Sequence, residues 1–487
     1  MTAGPNPAPG GGAPGRSSRW ARSDPLDVLV YVLIFVTAVS QMAIVPLLPE
    51  VAHRYSLGAS SLAWVLTLPG IAMLVSSAPI GMLGDRLGNR RVTLAGAVLL
   101  SFGVLAEAVT SLPVLVLARL VYGVGYGTLW TTGLAWLAER SPAGAPRRLG
   151  MTVTASAIGS TVGPTFAGVL ADRFGFPVPF LVAGGLTAVV TTSLVVGVER
   201  SQQLEAVVDR LRVGAAQPAG AGPPAGAGQP AGAAQPGPAP QGGGGNALGA
   251  LRRPAVLAGA LTLALSGAVG ALLQLLVPLQ LHAAGAGAQA IGFTLSAAAV
   301  VYIVVSAAAV HLGPRITNRR SNAWMAALMA VGLLPAVLAG GSAWVVATLM
   351  VVVVPRAVTG TVAYSLATGD REEGGPGTGA ILGLLNTLWA VATVVAPVAA
   401  GALETAFDAR IAYLAALVVV AAVAAWLVRE ARAGQSSPSP ESSPRRPARP
   451  DPGAPDPSAG VGTDWPSVAL HPPADRHPTG EWPVLAP

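Results

Sequence analysis

The chain has no cysteine and no lysine, and it has few charged residues for its length. Its 487 residues include 29 arginines and 22 acidic residues, so charged residues make up 10% of the chain, against about 25% in ordinary soluble domains. The absence of cysteine excludes disulfides, thiolate metal sites, iron–sulfur clusters and cysteine nucleophiles. The scarcity of charge argues against a soluble protein, whose surface needs more polar cover. We therefore expect a chain largely solvated by lipid.

Apolar runs of membrane-spanning length fill most of the chain. A transmembrane helix needs about 20 apolar residues, and twelve runs meet this need: 26–49, 61–82, 92–111, 113–138, 150–171, 178–198, 254–281, 290–312, 321–340, 342–368, 377–402 and 409–428. The compositions of 1–23, 214–245 and 431–487 predict disorder, because they bury too little apolar surface to offset the entropy lost on ordering. The sequence thus predicts an all-α membrane protein with twelve transmembrane helices.

The arginines mark one side of the predicted membrane. If the N-terminus is inside, at least eighteen arginines fall in inner segments and only Arg54, Arg173 and Arg410 in outer ones. Cytoplasmic loops collect positive charge, so we expect a multi-pass protein of the cell membrane with both termini in the cytoplasm. This distribution also explains the net charge of +7, and we expect the lipid bilayer as partner but no nucleic acid.

The two halves of the chain resemble each other. LGDRLGNRR at 83–91 matches LGPRITNRR at 312–320, and VGPTFAGVL at 162–170 matches VAPVAAGAL at 395–403 at nearly the same offset. We therefore predict two related six-helix bundles, residues 24–198 and 254–430, between a cytoplasmic tail over 1–23 and another over 431–487. Residues 199–253 form the cytoplasmic linker between the bundles. Such a duplication is typical of alternating-access transporters.

Three motifs resemble those of the major facilitator superfamily. The first, between the second and third runs, resembles the family's loop 2–3 signature through Gly81, Gly84, Asp85, Arg86, Gly88, Arg90 and Arg91. The second resembles the helix-5 signature of drug:proton antiporters through Gly150, Gly159, Gly163, Pro164 and Gly168, with Ala167 in place of a usual glycine. The third and weakest is Arg119, which resembles the family's helix-4 arginine.

The resemblance covers about residues 26–430. It implies the major facilitator fold, a small-molecule substrate, and a proton gradient as energy source with no cofactor. It also implies that Asp85 contacts the start of the eleventh run, residues 377–379, as a latch of the outward-open state. A carboxylate at such a helix N-terminus is stabilised by the helix dipole. The alternative is that the charges of this loop only fix topology.

The helix-5 residues predict a packing surface. Gly159, Gly163 and Ala167 recur every four residues and form one stripe of small side chains, and Pro164 permits a kink. We expect this stripe to make a close contact between the two halves, and the alternative is ordinary packing.

Few ionisable residues lie inside the predicted spans, where a charge is costly and therefore a functional candidate. The coupling candidates are Glu107, Arg119 and Arg356. Glu107 and Arg119 lie at similar depth, which allows pairing and would make Glu107 a candidate proton carrier, or Glu107 lies in the membrane interface. Asp27 and Glu50, at the ends of the first run, are expected to be interfacial.

The first run departs from many family members, which carry an acidic residue where this chain has Gln41. The candidate substrate pathway is polar but uncharged, and it comprises Gln41, Tyr122, Tyr126, Trp130, Gln274, Tyr302, Asn386 and Trp389. A few polar groups in an apolar cavity suit amphiphilic, neutral or anionic substrates. Each Trp or Tyr is alternatively an interfacial belt residue.

These features favour a secondary active transporter, a monomer that exports a small organic or drug-like molecule in exchange for protons. One alternative is proton-coupled uptake, or a sugar or amino-acid porter of the same fold. Another is a membrane protein without transport activity. An integral-membrane enzyme needs clustered ligands or a nucleophile with its base, and the predicted spans contain neither, so we predict no enzyme and no metal site.

Overall fold

The computed structural model describes residues 24–140, 144–216, 247–313, 316, 318–369 and 378–436. The described residues up to Gln435 belong to one compact unit, and every regular element in them is a helix. The α-helices are α1 (Pro25–Ala43), α2 (Leu48–Tyr55), α3 (Ala59–Leu87), α4 (Asn89–Ala106), α5 (Leu112–Thr128), α6 (Leu134–Glu139), α7 (Ala145–Phe174), α8 (Pro177–Ala216), α9 (Pro254–Ala283), α10 (Ala288–Leu312), α11 (Arg319–Leu338), α12 (Ser342–Gly369), α13 (Thr378–Ala406) and α14 (Ala409–Ser436).

Eleven helical segments of the described chain are long and apolar enough to cross a membrane. They correspond to eleven of the twelve predicted runs. The remaining run, 92–111, corresponds to α4, which has 18 residues and begins with Asn89, Arg90 and Arg91. These three polar residues lower the mean hydropathy of such a short helix. The prediction of an all-α membrane protein is confirmed.

Two spans are built from more than one helical element. α1 ends at Ala43, a 3₁₀ turn covers Val45–Leu47, and α2 continues from Leu48. Pro46 and Pro49 cause this break, because proline lacks the N–H that continues an α-helix. α5 and α6 are joined by a π-helical stretch, Leu129–Gly133, a local widening that is frequent at functional sites.

Two helices reach a few residues into segments that the sequence predicts to be disordered. α8 continues to Ala216, past residue 214, and α14 continues to Ser436, past residue 431. The extension of α8 contains Glu199, Gln202 and Leu204, which are strong helix formers, and no proline occurs before Pro218. Residues 1–23, 217–245 and 437–487 of the predicted disordered segments lie outside the described residues.

The helices pack as two groups. The N-terminal group comprises α1–α8, with extensive packing of α1 on α7 and of α5 on α3 and α4, and the C-terminal group comprises α9–α14, with α9 against α12 and α13. The groups meet mainly where α7 packs on α10 and where α3 packs on α13. We call the end of the helices that holds Asp24 the proximal end and the opposite end, which holds Gly58 and Gly287, the distal end.

The two groups are closed against each other at the distal end. The backbone N–H of Ser60 donates to Thr405 Oγ1 at 3.1 Å. On the other interface the N–H of Thr165 donates to Ser296 Oγ at 3.1 Å. The hydrogen bonds that the described residues make between the groups lie in this distal half, so the helices are sealed on that side.

Candidate functional site

A buried ion pair lies inside the N-terminal group. Arg119 on α5 places Nη1 3.2 Å from Oε1 of Glu107, the residue that follows α4, and both side chains are 1% exposed. The sequence placed these residues at similar depth and left open whether they face each other, and the structure brings them together. The arginine Nε also donates to the Val65 carbonyl on α3 at 3.4 Å, so the pair joins three helices.

The pair exists because α4 and α5 approach each other closely. A Cβ on Gly103 would lie 2.8 Å from the backbone N of Tyr122, and one on Gly125 would lie 2.8 Å from the Leu100 side chain. These glycines remove the side chains that would separate the two helices. The second carboxylate oxygen of Glu107 finds no hydrogen-bond partner within the described chain. Arg119 is therefore the group that compensates the negative charge of Glu107.

An aromatic ladder continues along α5 from the ion pair. The Tyr122 ring stacks on Tyr126 with centroids 5.7 Å apart, and Tyr126 meets Trp130 at 6.0 Å. Tyr122 is fully buried and its hydroxyl donates to the Thr37 carbonyl of α1 at 2.7 Å, so it does not line an open pathway in this conformation. Tyr126 and Trp130 are half-buried, as is Gln41 on α1. These three remain candidates for a pathway wall.

A second cluster of candidates lies in the C-terminal group, around Arg356. Arg356 stands near the middle of α12, and its Nε donates to the Ser266 carbonyl of α9 at 2.9 Å. In return, the Ser266 hydroxyl donates to the Arg356 carbonyl at 3.2 Å. The guanidinium lies over the Tyr302 ring of α10, 5.7 Å from its centroid. One arginine thus touches two neighbouring helices.

Three glycines make room for the large polar side chains of this cluster. A Cβ on Gly270 would overlap the Arg356 guanidinium. A Cβ on Gly267 would lie 2.7 Å from the Trp389 ring, and one on Gly360 would lie 3.1 Å from the Tyr302 hydroxyl.

The remaining candidates lie around the same cluster. Tyr364, two turns from Arg356 along α12, donates its hydroxyl to Asn386 Oδ1 at 2.8 Å. Asn386 is exposed and Trp389 is 44% exposed, both on α13. Gln274 is half-buried one turn after Gly270, on the same face of α9. The helices α9, α10, α12 and α13 therefore bring four predicted pathway residues to the region of Arg356: Gln274, Tyr302, Asn386 and Trp389.

The loop 2–3 motif forms a tight connection between α3 and α4. Gly88 has φ of 89°, a backbone conformation that only glycine adopts easily. Gly84 is buried against Asn89 and Thr132, and a Cβ on Gly81 would touch Thr131 at 3.8 Å. Arg90 is half-buried, and the exposed side chains are Asp85, Arg86 and Arg91. The predicted partner of Asp85, residues 377–379, lies partly outside the described residues, so the latch stays a prediction.

The helix-5 glycines do not pack as predicted. Gly159 and Gly163 of α7 face α1, where a Cβ on Gly163 would lie 2.7 Å from the Val39 carbonyl and one on Gly159 would meet the Phe35 carbonyl. The expectation that these two glycines contact the other half is therefore wrong, because they turn toward their own group. The contact between the groups is made by other residues of α7, the adjacent Pro164 through its carbonyl and Gly168 one turn further on, which both meet α10. Gly150 has open space around it.

Sequence reasoning missed a charge network at the proximal end. Asp27 is 4% exposed, and its carboxylate oxygens lie 3.1 Å from Arg140 Nε and 2.8 Å from Arg148 Nε. Asp24 pairs with Arg140 as well. The expectation that Asp27 is merely interfacial is therefore wrong, since it ties the starts of α1 and α7 to the end of α6. The signal was available, because both arginines lie on the same predicted side as Asp27.

A second missed contact joins the two groups at the distal end. Asp172, near the end of α7, accepts a hydrogen bond from the backbone N–H of Gln289 at 3.0 Å. Gln289 lies in the first turn of α10, where free N–H groups and the helix dipole favour a carboxylate. Asp172 thus stabilises the closed distal end. Among the described residues, no three His, Cys, Asp or Glu side chains gather closely enough to hold a metal ion.

Comparison with known proteins supplies relatives of the chain. The model of the Major Facilitator Superfamily matches residues 30–381. The riboflavin transporter RibZ of Clostridioides difficile (strain 630) is 27% identical over 136 residues, 28% of this chain and 30% of RibZ. The multidrug resistance protein Stp of Mycobacterium tuberculosis is 31% identical over 132 residues, 26% of this chain and 25% of Stp. The matched segments thus cover less than a third of the length of these relatives.

Solved structures with the same fold include two transporters. A bacterial homologue of the human lysosomal transporter Spinster, inward-facing and unoccupied, matches with a TM-score of 0.64 and 13% identity over 85% of this chain and 98% of that chain. A D-xylose-proton symporter matches with a TM-score of 0.60 and 14% identity over 83% and 96%. Since the family model also matches well over half of the chain, this multi-pass membrane protein belongs to the Major Facilitator Superfamily of transporters.

Proposed function

We propose that the chain exports a small organic molecule across the cell membrane in exchange for protons, as a monomer with both termini in the cytoplasm. The observation that carries this proposal is the Glu107–Arg119 pair, a titratable carboxylate buried against a cation inside a span. Protonation of Glu107 neutralises the carboxylate and deprives Arg119 of its partner. A proton can therefore shift the balance between two conformations that differ in this contact.

The arrangement of the two groups supports alternating access. In this orientation the distal end faces outward and is closed by Asp172 on α10 and by Ser60 on Thr405. This is the conformation in which an exporter takes its substrate from the cytoplasm. Asp85 supplies the opposite latch by contacting the start of α13 when the proximal end closes. One carboxylate at each end thus favours one of the two states through a helix dipole.

The relatives support efflux. Stp is named a multidrug resistance protein, and LfrA of Mycolicibacterium smegmatis, 29% identical over 153 residues (31% of this chain and 30% of LfrA), is named a multidrug efflux pump. The second candidate is a metabolite porter of the same fold. The observation that favours it is the similarity to RibZ, which is named a riboflavin transporter.

Inverted membrane vesicles test the direction and the coupling together. Acidifying the lumen of vesicles that contain the wild-type chain should drive accumulation of an exported dye, with alkalinisation of the lumen as protons leave. Glu107→Gln should abolish this pH-driven accumulation, since it fixes the uncharged form. Glu50→Gln is the matched control, because Glu50 is an exposed carboxylate at 47% that pairs with Arg54 on the same short helix.

Two outcomes contradict the proposal. If Glu107→Gln accumulates the dye as strongly as the wild type does, this carboxylate is not involved in coupling. Riboflavin, sugar or amino-acid flux into right-side-out vesicles, without dye efflux, favours the metabolite porter.

A further inference from the structure

We propose that Arg356 is the anchor for the acidic group of an organic anion, and that the surrounding cluster is the binding site for this class of substrate. The inference deepens the proposed function, because it assumes that the chain transports a small molecule. It specifies an amphiphile that combines a carboxylate or similar anion with an aromatic or apolar body.

Arg356 carries a positive charge inside a span. Arg356 lies near the middle of a 28-residue helix that spans the membrane, where an arginine is costly unless something compensates it. The ion pairs among described residues include none with Arg356, in contrast to Arg119. Its bond to the Ser266 carbonyl uses one of the five N–H donors of a guanidinium. A carboxylate ligand, bound by two parallel hydrogen bonds, is the partner that the guanidinium geometry prefers.

Glycines of α9 make room for the large side chains around Arg356. Two glycines of α9 lie opposite large side chains of the cluster, Gly270 opposite the Arg356 guanidinium and Gly267 opposite the Trp389 ring. Glycine in a helix costs about 1 kcal/mol relative to alanine. Glycine at these two positions leaves room beside α9 for the side chains of Arg356 and Trp389. Packing of the helices alone does not require this room.

Aromatic and amide side chains surround the Arg356 cation. Tyr302 lies under the guanidinium, and Trp389 is 44% exposed. Asn386 is exposed on α13 one turn closer to the proximal end. Aromatic walls with a few polar groups are typical of sites for drug-sized ligands. Because the distal end is closed, an anion would reach Arg356 from the proximal end, the side on which Asn386 lies relative to Trp389.

The competing explanation is that Arg356 only fastens α12 to α9 through the reciprocal bonds with Ser266. A fastening role is indifferent to the charge of a ligand, whereas an anchor for an anion is not. The test therefore compares ligands of different charge rather than activity alone.

The experiment measures equilibrium binding of three fluorescent probes to the purified full chain in lipid nanodiscs. Carboxyfluorescein is the anion, Nile red is neutral and ethidium is a cation. We expect the wild type to bind carboxyfluorescein saturably and more tightly than ethidium. Arg356→Gln should weaken carboxyfluorescein binding by about tenfold or more, as expected for loss of hydrogen bonds to a charged group, and should leave Nile red within about twofold. Arg356→Lys should retain part of the affinity, because it keeps the charge but loses the fork.

The matched control is Arg429→Gln, which removes the same charge from an exposed position on α14. This variant should bind all three probes with the wild-type affinity. Three results overturn the inference: no saturable binding of carboxyfluorescein to the wild type, unchanged binding by Arg356→Gln, or an equal loss of all three probes in Arg356→Gln, which indicates the fastening role. If Arg356→Gln does not fold, the wild-type preference for carboxyfluorescein over ethidium and the Arg356→Lys variant decide. Failure of the proposed function is distinct, since it shows as absent pH-driven flux in vesicles while anion binding persists.

Discussion

Two arginines inside the described spans, Arg119 and Arg356, lie in contrasting environments. Arg119 lies 3.2 Å from a carboxylate of its own group and is 1% exposed. Arg356 is half-buried, bonds to a backbone carbonyl, and forms no ion pair with another described residue. The N-terminal group therefore neutralises its intramembrane charge internally, whereas the described part of the C-terminal group provides no carboxylate for the Arg356 cation. On our proposals, the first arrangement suits a proton and the second suits an anionic substrate.

The two halves are related in sequence, but not every charged residue of one half is repeated at the equivalent position of the other. Sequence matches at nearly constant offset relate them, yet Pro314 stands where Asp85 would be repeated. Helix length and apolar faces suffice to rebuild a helical bundle, so the charged positions are free to diverge. On our proposals, this freedom allows a division of labour, in which one half serves proton coupling and the other serves substrate recognition.

The largest expected effect is the loss of stability when the paired arginine is deprived of its carboxylate. Glu107→Ala leaves the Arg119 charge buried without a partner, which typically costs about 3–5 kcal/mol. We expect a marked fall in the thermal unfolding temperature of the purified protein. The double variant Glu107→Leu with Arg119→Met should recover most of the loss, because it removes both charges. An unchanged unfolding temperature in Glu107→Ala contradicts the pairing.

A second variant places an obstacle beside the other arginine. Gly270→Val puts a side chain where the Arg356 guanidinium lies, so the arginine must move and the aromatic face of Tyr302 loses its cation. We expect carboxyfluorescein binding to fall by about tenfold. The control is Gly185→Val, because nothing lies within 4 Å of a Cβ at that glycine. Equal binding by Gly270→Val and the wild type argues against the geometry of this cluster.

The comparison itself predicts a small effect of Arg356 on stability. Arg356→Met removes one hydrogen bond to Ser266 and a cation, but it leaves no carboxylate uncompensated. The expected change in unfolding free energy is within about 1 kcal/mol, well below that of Glu107→Ala. The measurement is the same thermal unfolding series. A loss as large as that of Glu107→Ala implies that Arg356 has a buried anionic partner, which removes the contrast.

The smallest effect concerns the distal contact. Asp172→Asn weakens the interaction with the α10 N-terminus, which is worth about 0.3–1 kcal/mol, and should shift some molecules out of the distal-closed state. The natural absence of cysteine makes this measurable, since Asn386→Cys introduces the only thiol. Its labelling by a charged maleimide should slow when Asp172→Asn is added, by at most the about two- to fivefold by which the equilibrium constant between the two states changes. An unchanged labelling rate indicates that this contact does not bias the equilibrium.

The sequence predicts the helices well because their signal is local. Apolar length alone locates twelve runs, and each of them corresponds to a helical segment of the structure, including the run 92–111, which corresponds to α4. It also predicts that Glu107 and Arg119 lie at one depth, since depth follows from position along a helix. The direction in which a helix faces is less accessible. Gly159 and Gly163 form a small-residue stripe in either orientation, and only the packing of α1 against α7 decides that they face it.

The missed charges have the same origin. Asp27 reads as a surface residue because it lies one turn into the first run, and its burial depends on two arginines more than a hundred residues away. The recognition of Asp172 at the start of α10 likewise requires the two groups to be assembled. Contacts between distant segments therefore need the structure, whereas residue type and depth do not.

One measurement tests the division of labour most directly. Proteoliposomes containing the wild type, Glu107→Gln or Arg356→Gln are assayed for carboxyfluorescein in two modes, exchange between equal internal and external concentrations at uniform pH and accumulation driven by a pH gradient. We expect that Glu107→Gln retains exchange and loses pH-driven accumulation, while Arg356→Gln loses both. Accumulation by Glu107→Gln at the wild-type level, or exchange by Arg356→Gln at the wild-type rate, contradicts it.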